Sequence, residues 1–324
     1  MTIVTDPGLN IACIESARER IAPYVKRTPL ERSETLSEHL GTNVYVKYEL
    51  FQKTGSFKPR GAFNKMLSLS DEQRAKGVVA VSGGNHAQGV AYAAKTLGVD
   101  AVILMPENTP RNYLDATLGY GATIDLKANI ADAFAAIEQY EAEGRTLVHP
   151  FDDPLVIAGQ GTIGLEIVED CPQVTDVFAS IGGGGIAGGV AIAIKAKNPN
   201  ARIWGVETVG ADAMSQAIAA GEPVTLSAIT SIAKTLGAPA VTQRTLDLVR
   251  DHLESVTVVT DAEAVTALKF IAERLKVTPE PASSCNLAAA EKLKANFTSD
   301  SHVVIILCGG NVSLDDICGY RDLT

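Results

Sequence analysis

The sequence predicts an α/β fold built on open, mostly parallel, twisted sheets with helices on both faces. Three observations predict it. Short β-branched runs alternate with helical patterns along nearly the whole chain; several runs lead straight into glycine-bearing turns that open a helix; and no heptad series, internal repeat or low-complexity tract competes with that alternation. In chain order the expected strands are residues 44–48, 78–81, 101–105, 123–126, 177–181, 202–206, 255–259 and 303–307, each short and rich in sheet-forming side chains. Between them, 85–97, 130–143, 187–197 and 262–275 read as amphipathic or small-residue helices, the last with Asp261 as its N-cap. A chain of 324 residues is long enough for two cores, because single cores stop growing near roughly 250–300 residues. No Pro/Ser-rich linker separates them, so any division is made by chain crossings.

Apolar residues make up 46% of the chain and charged residues 20%, which excludes a disordered protein. A formal net charge of −10 repels nucleic acid and anionic membranes, so neither is an expected partner. Residues 177–194 carry no charge, but four consecutive glycines weaken any continuous helix there, and the stretch reads as strand, loop and helix rather than a membrane span. The five cysteines, Cys13, Cys171, Cys285, Cys308 and Cys318, are widely spaced with no C-x-x-C. That suits reduced thiols in the cytoplasm better than a disulfide framework or a zinc site. The start, Met1-Thr-Ile-Val-Thr-Asp-Pro, has neither a basic segment nor a long apolar one, so no secretory leader is expected.

The sharpest local signal is Phe178-Ala-Ser-Ile-Gly-Gly-Gly-Gly-Ile-Ala-Gly-Gly189, a strand running into glycines and then a helix. Without Cβ atoms the successive amides can turn towards a phosphate, while the helix directs its positive end at it. Two ligand classes fit. A dinucleotide would use Gly183-x-Gly185-x-x-Gly188 as its fingerprint, with Glu207 after the next strand as the ribose-binding acid of a nicotinamide (NAD) oxidoreductase. A cofactor with a single phosphate would use the tetraglycine amides alone. A tight turn with no ligand is the third reading, and the loop by itself does not choose.

Three further segments carry chemistry. Lys53-Thr-Gly-Ser-Phe-Lys58-Pro-Arg-Gly-Ala62 sets Lys58 in a short turn that leads into a helix. Val81-Ser-Gly-Gly-Asn-His-Ala-Gln88 is a second strand–glycine–helix unit, whose Ser82, Asn85 and first helical amides can hold a carboxylate. His86 reads equally as a helix-start residue satisfied by its neighbours. Ile306-Leu-Cys-Gly-Gly-Asn311 puts Cys308 at the end of a strand, where open α/β sheets bind ligands.

Taken in order, these segments make the chain resemble the tryptophan-synthase-β-like (fold type II) pyridoxal-phosphate enzymes, and within them the serine/threonine dehydratase (threonine ammonia-lyase) and serine racemase group. The likeness covers almost the whole chain and includes Arg27-Thr-Pro-Leu30, Ser56-Phe-Lys-Pro-Arg-Gly61, Ser82-Gly-Gly-Asn-His86, His149-Pro-Phe-Asp-Asp153, Ala158-Gly-Gln-Gly-Thr162, the tetraglycine loop, Glu280-Pro-Ala282 and Cys308-Gly-Gly-Asn311. The dinucleotide reading explains only one of these. The resemblance implies that pyridoxal 5'-phosphate is the cofactor, that Lys58 forms the Schiff base with it, and that the freed Lys58 amine is the base for the substrate's Cα proton. It also implies that Gly182, Gly183, Gly184 and Gly185 bind the phosphate, that Asn85 meets the ring 3′-oxygen, that Phe57 packs near the ring and that Cys308 faces the ring nitrogen. A thiol with an ordinary pKa of about 8.5 cannot stabilise a pyridinium as a carboxylate would, which favours loss of a β-substituent over transamination.

The same resemblance places the substrate carboxylate on Ser82, Gly83, Asn85 and His86. The implied reaction is β-elimination from a small L-β-hydroxy amino acid, of threonine/serine, 3-hydroxyaspartate or phenylserine type, to a 2-oxo acid and ammonia. A serine racemase of the same family is the alternative. The implied layout is a small substrate-binding domain, 51–148, inserted in a large cofactor-binding domain made of 1–50 and 149–324, in a homodimer. No regulatory domain is expected after Asn311.

Three departures from the family pattern bear on detail. Relatives with a divalent-cation site use an acid, a carbonyl four residues on and a second acid two beyond; here these are Glu207, Ala211 and Ala213, so one carboxylate is missing and no metal is assigned. A stretch that often reads Ala-Asp-Gly in threonine dehydratases is Ala233-Lys-Thr235 here, followed by Leu236-Gly-Ala-Pro239, which leaves the preferred hydroxy amino acid open. The second loop serine, the racemases' proton donor opposite the lysine, is Gly83, so racemisation is expected to be at most a minor side reaction.

Overall fold

The computed structural model describes residues 8–323, so the segment 1–7, where no leader is expected, lies outside the described residues. In chain order the strands are β1 (Leu30–Arg32), β2 (Asn43–Lys47), β3 (Val78–Val81), β4 (Ala101–Pro106), β5 (Thr123–Lys127), β6 (Thr146–Leu147), β7 (Asp176–Ser180), β8 (Arg202–Thr208), β9 (Ser255–Val259) and β10 (His302–Ile306). They form a six-stranded sheet, β1-β2-β10-β7-β8-β9, and a four-stranded sheet, β5-β4-β3-β6. Only β1 with β2 is antiparallel; every other pair is parallel. The last strand, β10, lies between β2 and β7, so the larger sheet closes only when both ends of the chain meet. β3, β4 and β7 are buried along their whole length, as expected for parallel strands covered on both faces.

All eight expected strands are present within two residues of their expected bounds. β1 and β6 escaped the sequence reading because runs of three and two residues carry no periodicity. The stretch expected as one helix over 130–143 is two, Ile130–Ala135 and Ile137–Ala142. The helix Asp261–Leu275 is capped by Thr260 in a capping box with Glu263, not by Asp261. The Asp261 carboxylate instead accepts hydrogen bonds from Ser231 Oγ (2.6 Å) and Ile232 N (3.1 Å). The uncharged stretch 177–194 is the end of β7, a glycine turn and most of the helix Gly185–Lys197. Among the described residues no helix is long and apolar enough to cross a membrane.

The central helix, Pro154–Asp170, is buried nearly all round, which erases any amphipathic signal. It meets two neighbours through glycines. A Cβ at Gly159 would stand 2.6 Å from the Arg60 carbonyl of the helix Pro59–Leu67, and one at Gly164 would stand 2.7 Å from the Val190 carbonyl of Gly185–Lys197. The three helices therefore pack backbone to backbone.

A closed set of buried charges reinforces that contact. Arg60 donates from Nε to Glu49 Oε2 (2.9 Å) and from Nη1 to Glu166 Oε1 (2.7 Å), while Lys47 Nζ meets Glu166 Oε2 (2.5 Å) and the Thr28 carbonyl (2.7 Å). Two cations balance two carboxylates, and all four are buried. Removing one member leaves a charge unpaired in low dielectric. Arg60→Met should destabilise the fold by about 3–5 kcal/mol in urea unfolding. Arg60→Lys should recover only part of the loss, because one ammonium cannot reproduce the guanidinium fork that spans both acids.

Candidate active site

The C-terminal ends of β3, β4, β7 and β10 open on one cavity of about 410 Å³. Lys58 enters it from the residue before Pro59, the first residue of Pro59–Leu67, whose ring presets the helix start. The turn before it is stitched to the segment after β10: Phe57 N donates to Cys308 O (3.0 Å), Gly310 N donates to Gly55 O (2.9 Å), and Ser56 pairs with Gly309. Gly89 leaves room behind the lysine, since a Cβ there would lie 2.9 Å from Lys58 Cβ. Lys58 Nζ donates to the Pro150 carbonyl (2.7 Å) and stands 5.1 Å from the centre of the Phe57 ring. Burial pulls its pKa down to about 8, against the opposing pull of Cys308 and Glu280.

Two helix starts face the same cavity. Gly185–Lys197 and Asn85–Leu97 begin at Gly184 and Gly84, and no side chain caps either. Their first-turn amides are left without a capping side chain at the cavity that also holds the lysine. At the first seat Gly184 has φ +96°, a conformation that favours glycine, and a Cβ on Gly183 would sit 2.0 Å from the Phe151 ring. Phe151 thus moulds the tetraglycine loop from behind, a constraint absent from any local reading of the motif. At the second seat Ser82 Oγ accepts from Gly84 N (3.0 Å) and shapes the turn.

The two imidazoles near the lysine are kept neutral. His86 Nε2 donates to the Val148 carbonyl (2.8 Å), its Nδ1 is buried without a protein partner, and burial holds its pKa well below the usual range. The imidazole is therefore an acceptor, so only the His86 backbone amide can serve an anion. His149 Nδ1 accepts from Asp152 N (2.8 Å), and burial lowers this residue to about 4. Only Lys58 among the three carries charge near neutrality.

Asn85 donates from Nδ2 to Glu280 Oε1 (2.7 Å) and accepts at Oδ1 from Asn311 Nδ2 (2.7 Å), which leaves one N–H free. Glu280 is buried and pushed up to about 7 by that burial, against hydrogen bonds from Asn85, Thr235 and Tyr113. The sequence reading quoted Glu280 within a motif but gave it no role; an acid directly before Pro281 at a helix start was the available signal. Cys308 Sγ lies 3.1 Å from Ser283 Oγ, and burial pushes the thiol up to about 12, so it is uncharged.

Phe57, Lys58, Ser82, Gly83, Asn85, His86, Gly182, Gly183, Gly184, Gly185 and Cys308 all line this cavity, and so do Lys234 and Thr235. Glu207 does not. It is buried and caps the helix Ala213–Ala220, accepting from Met214 N (2.9 Å), Ser215 N (2.8 Å) and Ser215 Oγ (2.6 Å). That corrects the dinucleotide alternative, because this acid cannot reach a ribose. Among the described residues no group of three or more His, Cys, Asp or Glu side chains could hold a metal ion.

The sequence pattern of the family described as "Pyridoxal-phosphate dependent enzyme" matches residues 21–309. The chain belongs to this family. It is 39% identical to the catabolic L-threonine dehydratase of Staphylococcus aureus (strain USA300) over 324 residues, 98% of this chain and 94% of that protein. It is 40% identical to the L-threonine ammonia-lyase of Thermotoga maritima over 306 residues, 94% of this chain and 76% of that protein. Among solved structures, maize serine racemase superposes with a TM-score of 0.91 at 40% identity, covering 98% of both chains. The processed form of threonine deaminase isoform 2 from Solanum lycopersicum also superposes at 0.91, with 34% identity, covering 97% of this chain and 87% of that one.

The cavity fits a pyridoxal-phosphate dependent enzyme. It holds a cradle at Gly183 that a Cβ would fill, uncapped backbone amides, an amine of lowered pKa and a neutral thiol. The state of the amine is directly measurable. In cofactor-free protein, competitive acetylation across pH should show Lys58 changing from unreactive ammonium to reactive amine as pH rises through about 8.

Proposed function

We propose that this enzyme catalyses pyridoxal-phosphate-dependent β-elimination from a small L-β-hydroxy amino acid of the threonine or serine type. The observation that carries the reading is the pair of uncapped helix starts flanking Lys58, one suited to the cofactor phosphate and the other to a substrate carboxylate. Gly182, Gly183, Gly184 and Gly185 would hold the phosphate, and the free N–H of Asn85, the Phe57 ring and the Cys308 thiol would serve the ring. When bound, the cofactor supplies the electron sink that makes the substrate's Cα proton acidic. Lys58, neutral for part of the time near pH 8, takes that proton. Ser82, Gly83, Asn85 and His86 shape the carboxylate seat, the last two through their backbone amides. The β-hydroxyl leaves as water, and the water is regained on hydrolysis of the released enamine, so the net products are a 2-oxo acid and ammonium.

L-threonine, on which the curated relatives act by name, and L-serine are the leading substrates. Residues 51–148, which carry every strand of the smaller sheet, act as a domain that closes over the cavity, while 1–50 and 149–324 hold the cofactor. The enzyme works in the cytoplasm as a homodimer. Five free cysteines support the first, and the exposed Phe51 ring, stacked on Tyr48, supports the second.

The test is borohydride reduction followed by peptide mapping, together with 2-oxo acid assays over a panel of hydroxy amino acids. The reduced cofactor should be found on Lys58. Lys58→Ala should lower 2-oxo acid formation by at least about 10³-fold, while the fold is kept. A cofactor bound elsewhere would overturn the assignment, as would a protein inert towards every hydroxy amino acid.

A further inference from the structure

Gly83 leaves a gap that another residue fills. A Cβ built on Gly83 would stand 2.8 Å from Thr109 Oγ1, so the threonine hydroxyl occupies the place a side chain at 83 would need. Thr109 comes from a different segment, between β4 and the helix Arg111–Gly119, and its backbone is held by the bond from Thr109 N to the Pro106 carbonyl (3.0 Å). It lines the same cavity and is only 8% exposed, yet Oγ1 has no hydrogen-bond partner among the described residues. A buried hydroxyl without a partner is unfavourable, a cost removed when a ligand accepts from it. Beside it stands the uncapped start of Asn85–Leu97, whose amides also want an anion.

The geometry points to Thr109 as a substrate-binding residue that donates from Oγ1 to the α-carboxylate seated on the start of Asn85–Leu97. This inference rests on the carboxylate seat proposed above. The hydroxyl reaches the seat because Gly83 is a glycine; any larger side chain there would displace it. Thr109 and Gly83 act as one unit, with the donor moved from the loop to the neighbouring segment.

The test compares Thr109→Val, Thr109→Ala and Thr109→Ser with the parent holoenzyme. L-Lactate, which keeps the carboxylate and lacks the amine, is titrated calorimetrically, and kcat and KM are measured for L-threonine and L-serine. Loss of a hydrogen bond to a charged group should weaken L-lactate and raise KM by about 10- to 100-fold in the valine and alanine variants. kcat should stay within about threefold, and serine should restore parental values within about the same factor. The alanine variant guards against a folding defect caused by the extra methyl of valine.

Unchanged L-lactate affinity in both hydroxyl-free variants would overturn the inference. So would a fall in kcat at constant affinity, which would make the hydroxyl a proton donor instead; in that case, in heavy water, D-serine formed by the parent would carry deuterium and its formation would vanish in the variants. A parent that binds L-lactate through Thr109 but makes no 2-oxo acid would refute the proposed elimination and leave this inference standing. An active parent indifferent to the substitutions would do the reverse.

Discussion

The closed quartet of Lys47, Glu49, Arg60 and Glu166 is the constraint on which the rest of the molecule depends. Four charges removed from water are tolerable only as a complete, mutually hydrogen-bonded set. The set binds β2 and its exit, the start of Pro59–Leu67 and the middle of Pro154–Asp170, which are far apart in sequence. Arg60 is two residues from Lys58, so the quartet also fixes where the reactive amine begins. Burial lowers the amine's pKa, and the quartet keeps the turn in the buried position that burial requires.

From the central helix the constraint passes to the tetraglycine loop by packing. Gly164 lets Pro154–Asp170 lie against Gly185–Lys197, and just before the central helix Phe151 presses on Gly183. The segment 148–153 then ties the parts together. Its Val148 carbonyl fixes His86, its Pro150 carbonyl receives Lys58, Phe151 shapes the loop, and Asp153 caps the central helix through Leu155 N (2.8 Å). One short bent segment thus touches the amine and both helix starts.

The cavity's electrostatics follow from burial applied unevenly. The two imidazoles are uncharged, the thiol is uncharged, and Glu280 sits near its midpoint at neutrality, so the lysine is the one cation at the cavity floor whose charge changes within reach of physiological pH. The two helix starts at the cavity are left with backbone amides that no side chain caps. Amides carry no net charge to desolvate, so they can lie in a buried cavity at lower cost than cationic side chains.

Much of this was legible in the sequence because it is local. The strand–glycine–helix units, the lysine turn and the strand-end cysteine are written in consecutive residues, and short-range backbone geometry suffices to form them. The α/β class followed from the same alternation. What only the tertiary structure decided involves partners outside the local motifs, from 7 residues away at the Glu207 cap to 226 between Asn85 and Asn311. Phe151 as the mould for Gly183, Glu207 as a helix cap, the Asn311–Asn85–Glu280 chain of hydrogen bonds and Thr109 filling the gap at Gly83 all depend on side chains brought together by packing. The central helix was missed for the opposite reason: buried nearly all round except at its last turn, it has almost no polar side to betray its period. Sequence determined which residues could do the chemistry, and the three-dimensional closure of the chain decided what each of them touches.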